Sequence, residues 1–179
     1  MKCEPDKIVL IFDTSVVIEF IKSSLLDGLI KYRNKNSANI EMMLPAEVLE
    51  ELERSTINCN SLHDIFKVVR AEKRIVERLK QRYLGLGDGE IGVLSIALAL
   101  KNSSPSHIVL LIDDYYARKI AKSLGLDVHG TLWLIQQLKM HNIITKENAI
   151  KIVKELPSHG FYIDENTFSQ VIETILKDC

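Results

Sequence analysis

The fold is decided by "IVLIFDTSVVIEF", residues 8–20. Its first half, Ile8 to Phe12, is five consecutive apolar residues without polar alternation, the pattern of a strand covered on both faces. The run stops at Asp13, and Thr14, Ser15 and a helical pattern from Val16 to Ile21 follow. Asp13 reads equally as a helix N-cap and as a functional carboxylate at the tip of a buried strand. What separates the two is whether other carboxylates arrive at equivalent places.

The arrangement recurs downstream. Ile40 to Leu44 is a second apolar run that stops at Pro45, and "AEVLEELERS" follows as a helix whose first turn Pro45 can start. "HIVLLIDD", residues 107–114, repeats the opening pattern as a third strand ending in acid; Leu126 to His129 is a short last strand. Tyr115 to Leu124 between them is a helix closed by Gly125. Strands alternating with helices predict an α/β fold: a parallel sheet, right-handed connections and helices on both faces.

From Ser61 to Leu84 the apolar residues fall at spacings of three, four and seven, which predicts a long helix or helix pair opened by a Ser61/Asp64 capping box. Gly85, Gly87 and Gly89 break the chain, and Glu90 to Leu100 reads as a helix packed in the interior. Leu132–Met140, Thr145–Leu156 and Asp164–Lys177 are further helices. The last sets Phe168, Val171, Ile172, Ile175 and Leu176 on one stripe. Residues 1–140 are expected to form one domain and 141–179 a C-terminal helical extension packed on or beside it.

Composition narrows the function. The chain has 179 residues, 46% hydrophobic and 26% charged, with a net charge of -1, which argues against a surface that grips nucleic acid everywhere but permits a local basic face. No apolar stretch is long enough to span a bilayer. The charged residues among Lys2 to Asp6 are wrong for a secretory signal, so a cytoplasmic location is expected. Cys3, Cys59 and Cys179 are an odd number at remote positions, and read as thiols rather than a disulfide or zinc framework. The five histidines are scattered and none is read as a ligand.

In an open parallel sheet, functional groups gather at the carboxyl ends of the strands. Asp13 and Asp113-Asp114 are predicted there, with Glu47, Glu50 and Glu51 in the helix after the second strand and Asp88 and Glu90 at the start of the interior helix. Each alone is explained by the helix dipole. Four acids reaching one edge from four segments repel one another unless a cation neutralises them, and an oxygen-only set suits Mg²⁺ or Mn²⁺ rather than zinc. Such ions acidify water and stabilise the charge that builds on a phosphate in in-line displacement, the chemistry of phosphodiester hydrolysis.

"VLIFDTSVVIEF", "LPAEVLEEL", "GDGEIGVLSIALAL" and "LLIDDYYARKIAKSLGLDVHGTLWLI" resemble the four acidic motifs of a PIN domain, the nuclease fold of VapC-type toxins. The resemblance runs from about Ile8 to Leu138. Glu90 at the third motif and Asp113-Asp114 at the fourth look like the subgroup with a C-terminal helical extension. It implies a three-layer fold with sheet order 3-2-1-4, sometimes with a fifth strand, and a Mg²⁺- or Mn²⁺-dependent ribonuclease leaving a 5′-phosphate and a 3′-hydroxyl. Asp13 matches the first acid; Glu51 the second, with Glu47 and Glu50 as register alternatives; Glu90 the third, with Asp88 as neighbour; Asp114 the fourth, with Asp113 adjacent. Thr14 or Ser15 would hydrogen-bond the first carboxylate or a water, unless Thr14 merely caps the helix. The chain departs from the commoner toxin pattern at Glu90, where Asp is usual, and at Ile112, where Thr or Ser is usual. Homodimerisation and a small antitoxin partner are also implied by the resemblance.

For an RNA substrate, Phe66 to Arg82 carries seven basic residues against two acidic, Arg74 and Arg78 among them, and is one candidate for phosphate contacts; an ordinary solvated helix face is the other reading. Arg118, Lys119 and Lys122, just after the fourth acid, are better placed for the substrate backbone. No aromatic ladder suggests readout by stacking. A haloacid-dehalogenase-like phosphatase is disfavoured because Ser15 stands where its second Asp is needed, and a receiver domain because the Asp pair follows a late strand. The rival that remains is a non-catalytic PIN-fold module that binds RNA or protein.

Overall fold

The computed structural model describes residues 7–35, 39–55, 59, 61–103 and 106–177. Cys3, Cys179 and the charged N-terminal residues lie outside them. Five parallel strands form one sheet of order β3-β2-β1-β4-β5: β1 (Ile8–Phe12), β2 (Ile40–Pro45), β3 (Lys67–Val69), β4 (His107–Leu111) and β5 (Asp127–His129). β1 is central. It pairs Ile8 with Ile40 and His107 at one end and Phe12 with Leu111 at the other, so Asp13 leaves the sheet beside the tip of β4. Val9 to Phe12 are at most 2% exposed, which is why the sequence here has no polar alternation.

The helices flank the sheet: α1 (Thr14–Lys22), α2 (Leu26–Lys35), α3 (Ala46–Arg54), α4 (Leu62–Ile65), α5 (Lys73–Arg82), α6 (Asp88–Ser103), α7 (Tyr115–Ser123), α8 (Thr131–Met140), α9 (Lys146–Glu155) and α10 (Glu165–Leu176), with a 3-10 turn at Leu156–His159. α6 packs against β1, β2 and β4, and every residue from Ile91 to Ala97 is buried, so it carries apolar or small residues all round. Gly125 ends the α7 turn at φ 66, a left-handed conformation that glycine adopts without penalty. Among the described residues no helix is long and apolar enough to cross a membrane.

The long helix expected over 61–84 is interrupted. Residues 67–69 pair with β2 through Met43↔Lys67 and Pro45↔Val69, giving an edge strand between the short α4 and α5. Ser61 makes no capping bond; instead Arg33 Nη1 donates to the Ile65 carbonyl at 2.8 Å and closes the C-terminal end of α4. Phe66 then meets Phe12 edge to face at 4.8 Å, a pair contributing about 1 kcal/mol beyond its burial.

α8, α9 and α10 pack on one another. Thr145 caps α9 through the Asn148 amide and Asp164 caps α10 through the Thr167 amide. Of the predicted α10 stripe, Val171 and Ile175 are buried and Phe168 and Ile172 half-buried, while Leu176 is 49% exposed. The turn before Gly160 is tied to α1: Lys22 Nζ donates to the His159 carbonyl at 2.9 Å, and buried Glu19 lies 3.3 Å from both Lys22 and the His159 ring.

Candidate active site

Two of the expected acids, Asp13 and Glu90, are gathered beside a third, Glu51. The Thr14 hydroxyl donates to Glu51 Oε2, and the Gly89 amide donates to Glu51 Oε1 at 2.9 Å. Glu51 thereby fastens the N-terminus of α1 to that of α6, bringing the neighbouring Asp13 and Glu90 to the same place. Gly89 is needed for this approach, since a Cβ there would sit 2.8 Å from Glu51 Oε2.

Asp13 occupies the N-cap position of α1, yet its side chain closes no capping hydrogen bond. It accepts the Ser15 hydroxyl at 2.8 Å and is 4% exposed. Burial raises its pKa from 3.8 to about 6; Ser15 and the nearby Thr14 and Ser15 amides hold it from rising further, and Glu51 pushes it up. The hydroxyls of Thr14 and Ser15 thus serve two different carboxylates. Glu90 folds back on the Gly87 amide at 2.7 Å. Burial, then repulsion from Asp13, Asp114 and Glu51, raises it to about 7. Asp13, Asp114 and Glu51 thus all lie close enough to Glu90 to repel its charge.

The two residues of the Asp pair part company. Asp114 is exposed and accepts the Ala117 amide at 2.7 Å as the cap of α7. Asp113 turns to α8, accepting the Thr131 amide at 2.8 Å and its hydroxyl at 2.6 Å. Burial raises its pKa, while Thr131 and Arg118 oppose the rise. Gly130 fits between, because a Cβ there would collide with Asp113 Oδ1 and crowd the Ile112 carbonyl. Gly130→Ala should therefore destabilise the fold by about 1–3 kcal/mol in a urea titration, since Asp113 has to move off Thr131.

The other acids point elsewhere. Glu50 pairs with Arg70 at 3.1 Å and Arg54 at 3.6 Å, and Asp88 with Lys80 at 2.5 Å. Glu47 lies against Gly92, where a Cβ would come within 3.0 Å of its Oε2. These pairings also use up much of the basic stretch: Lys67 pairs with Glu41, Arg70 with Glu50, Lys73 with Glu77 and Lys80 with Asp88. Arg74 and Arg78 stay exposed on α5, and Arg82 lies over the Tyr83 ring. Arg118, Lys119 and Lys122 instead line a recess of about 330 Å³ with Asp113 and Tyr115, next to the fourth acid.

A family model described as a PIN domain, DUF3368, matches residues 9–177. The chain belongs to the PIN-domain family. No curated protein matches it. The match spans β1 through α10, so the four acids and the C-terminal helices all lie within it. PIN domains are a nuclease-type fold that acts on nucleic acid and generally uses divalent metal ions.

Among the described residues, no three of His, Cys, Asp or Glu already stand as a metal cage. Hydrogen bonds occupy these acids as they stand: Glu51 has both oxygens engaged, Glu90 is held by Gly87 and Asp114 by its helix cap, though each carboxylate oxygen keeps a second lone pair. The chemistry of the set nevertheless fits a hard cation. It is all carboxylate, and two members carry raised pKa values that a positive charge would lower.

Proposed function

We propose that this PIN domain is a Mg²⁺- or Mn²⁺-dependent endoribonuclease that hydrolyses RNA phosphodiester bonds. The observation carrying this reading is the Glu51 clasp on Thr14 and Gly89, which gathers Asp13 and Glu90 from separate segments within the field of Asp114. Asp13, Glu90, Asp114 and Glu51 would hold the ion. When bound, it supplies Lewis acidity toward water and the phosphate oxygens.

The chain's own residues do the rest. Ser15 orients Asp13 through its hydroxyl, and Glu51 keeps α1 and α6 in register while remaining able to lend an oxygen. Asp113 acts as a positioning residue: its bonds to Thr131 fix the turn after β4 from which Asp114 projects. Arg118 and Lys119 bind the backbone phosphates beside the acids, with Arg74 and Arg78 as a more distant electrostatic contribution.

Incubation of mixed structured and single-stranded RNAs with Mg²⁺, Mn²⁺ or EDTA tests the proposal. Cleavage is expected with either ion, absent in EDTA, and to give products ending in a 5′-phosphate. Cutting that survives EDTA, or leaves a 2′,3′-cyclic phosphate, would contradict it, because the latter uses the RNA's own 2′-hydroxyl instead of water.

A further inference from the structure

Beside the acids lies a cavity of about 540 Å³, where the start of α7, the first half of α8 and the C-terminal segment 161–171 meet. Tyr115, Trp133, Phe161 and Tyr162 line it together with Asp113 and Arg118. Tyr115 is 79% exposed and Tyr162 88%, large flat surfaces left in contact with solvent. Trp133 is held in place by stacking on the His129 ring, with centroids 4.3 Å apart and planes 17° from parallel. The aromatic residues come from three chain segments, which is why no ladder shows in the sequence.

This cavity shares Asp113, Tyr115 and Arg118 with the recess that also holds Lys119 and Lys122. A cationic recess therefore opens directly off an aromatic one, and Asp113 and Tyr115, the chain neighbours of Asp114 on either side, line both. Single-stranded nucleic acid needs this juxtaposition: cations for the backbone and flat rings for the bases. The volume is that of a small-ligand site and suits one nucleotide.

We infer that the cavity between α7, α8 and the 161–171 segment receives an unpaired nucleotide of the RNA strand, next to the phosphodiester presented to the acids. Tyr115 and Tyr162 stack on the base, while Arg118 with Lys119 and Lys122 holds the adjoining phosphate. The C-terminal helices thereby become part of substrate selection, favouring unpaired strands, because a base stacked in a duplex must first be extruded to enter. This inference rests on RNA being the substrate.

Trp133 is the only tryptophan in the chain, so its fluorescence reports this cavity alone. The full chain is titrated, in EDTA and again in Ca²⁺, with a short unstructured oligoribonucleotide, the same strand in a duplex, and an abasic strand of equal length. Saturable quenching is expected from the single strand, with the duplex and abasic strand at least about ten-fold weaker, and Tyr162→Ala should weaken single-strand binding by about ten-fold. Tyr162 is exposed, so its removal leaves the fold intact. Equal binding of the abasic strand, unchanged affinity in Tyr162→Ala, or quenching by aromatic peptides but not by RNA would each overturn the inference. Base-dependent quenching without cleavage in Mn²⁺ would leave the cavity standing and remove the nuclease reading; cleavage without such quenching would do the reverse.

Discussion

Asp13→Asn should melt higher than wild type in metal-free buffer at neutral pH, and should lose the stabilisation that Mn²⁺ gives the wild-type protein. Asp13 is almost wholly buried, and burial raises its carboxyl from 3.8 to about 6. Its ionisation in the folded state therefore lowers stability by about 3 kcal/mol at pH 7. The folded state holds its proton more tightly than the unfolded state, so this penalty builds up, and stability falls, as pH rises from about 3.8 to about 6. Below that window both states are protonated and the penalty vanishes. Asparagine keeps an oxygen for the Ser15 hydroxyl but carries no charge. For a chain of this size the gain is roughly 5–10 °C at pH 7, shrinking toward zero below pH 4. Differential scanning calorimetry of both proteins across that range, with and without Mn²⁺, reads the effect. A wild type that melts higher than Asp13→Asn at pH 7 in EDTA would mean that Asp13 is a stabilising cap after all.

Mn²⁺ affinity should climb steeply with pH and level off above about pH 7.5. Binding requires both raised carboxyls to lose their protons. Glu90, at about 7, limits the upper part of the range, and Asp13, at about 6, joins it below. The dissociation constant should thus change by up to about ten-fold per pH unit between 6 and 7, and by up to about a hundred-fold below 6, as two protons compete with the ion. Calorimetric titration at several pH values measures this, together with the protons released. Glu90→Gln should remove the upper step. A flat profile from pH 5 to 8 would mean that neither group is a ligand.

Much of this was legible in the chain because it is written locally. β1 and β4 are uninterrupted apolar runs, and each ends at an acid that the parallel register brings to the same edge. β3 was not legible. It has three residues, its Lys67 is exposed, and its pairing with the far end of β2 is a long-range contact that a helical spacing of Leu62, Ile65, Val69 and Val76 disguises. The division of labour in the Asp pair was hidden for the same reason: only Thr131, eighteen positions on, separates Asp113 from Asp114. The basic stretch looked like a phosphate-binding strip because Glu41, Glu50 and Asp88, which neutralise much of it, come from β2, α3 and α6.

The rival reading, a PIN fold that binds without cutting, differs chiefly in what it asks of the acids. A binding module gains nothing from an ionised Asp13 held out of water, since a neutral residue at the tip of β1 would leave the fold more stable. Two of the four acids expected to form the site, Asp13 and Glu90, are raised by burial and by repulsion from neighbouring carboxylates, an arrangement that costs the fold stability.

The most direct test is RNA cleavage in Mn²⁺ by wild type beside Asp13→Asn, with calorimetry confirming that the variant is folded. Strong metal-dependent cutting by wild type, reduced by at least about a hundred-fold in the variant, is the predicted result. Equal rates in the two proteins would contradict it and return Asp13 to the role of a residue that merely begins a helix.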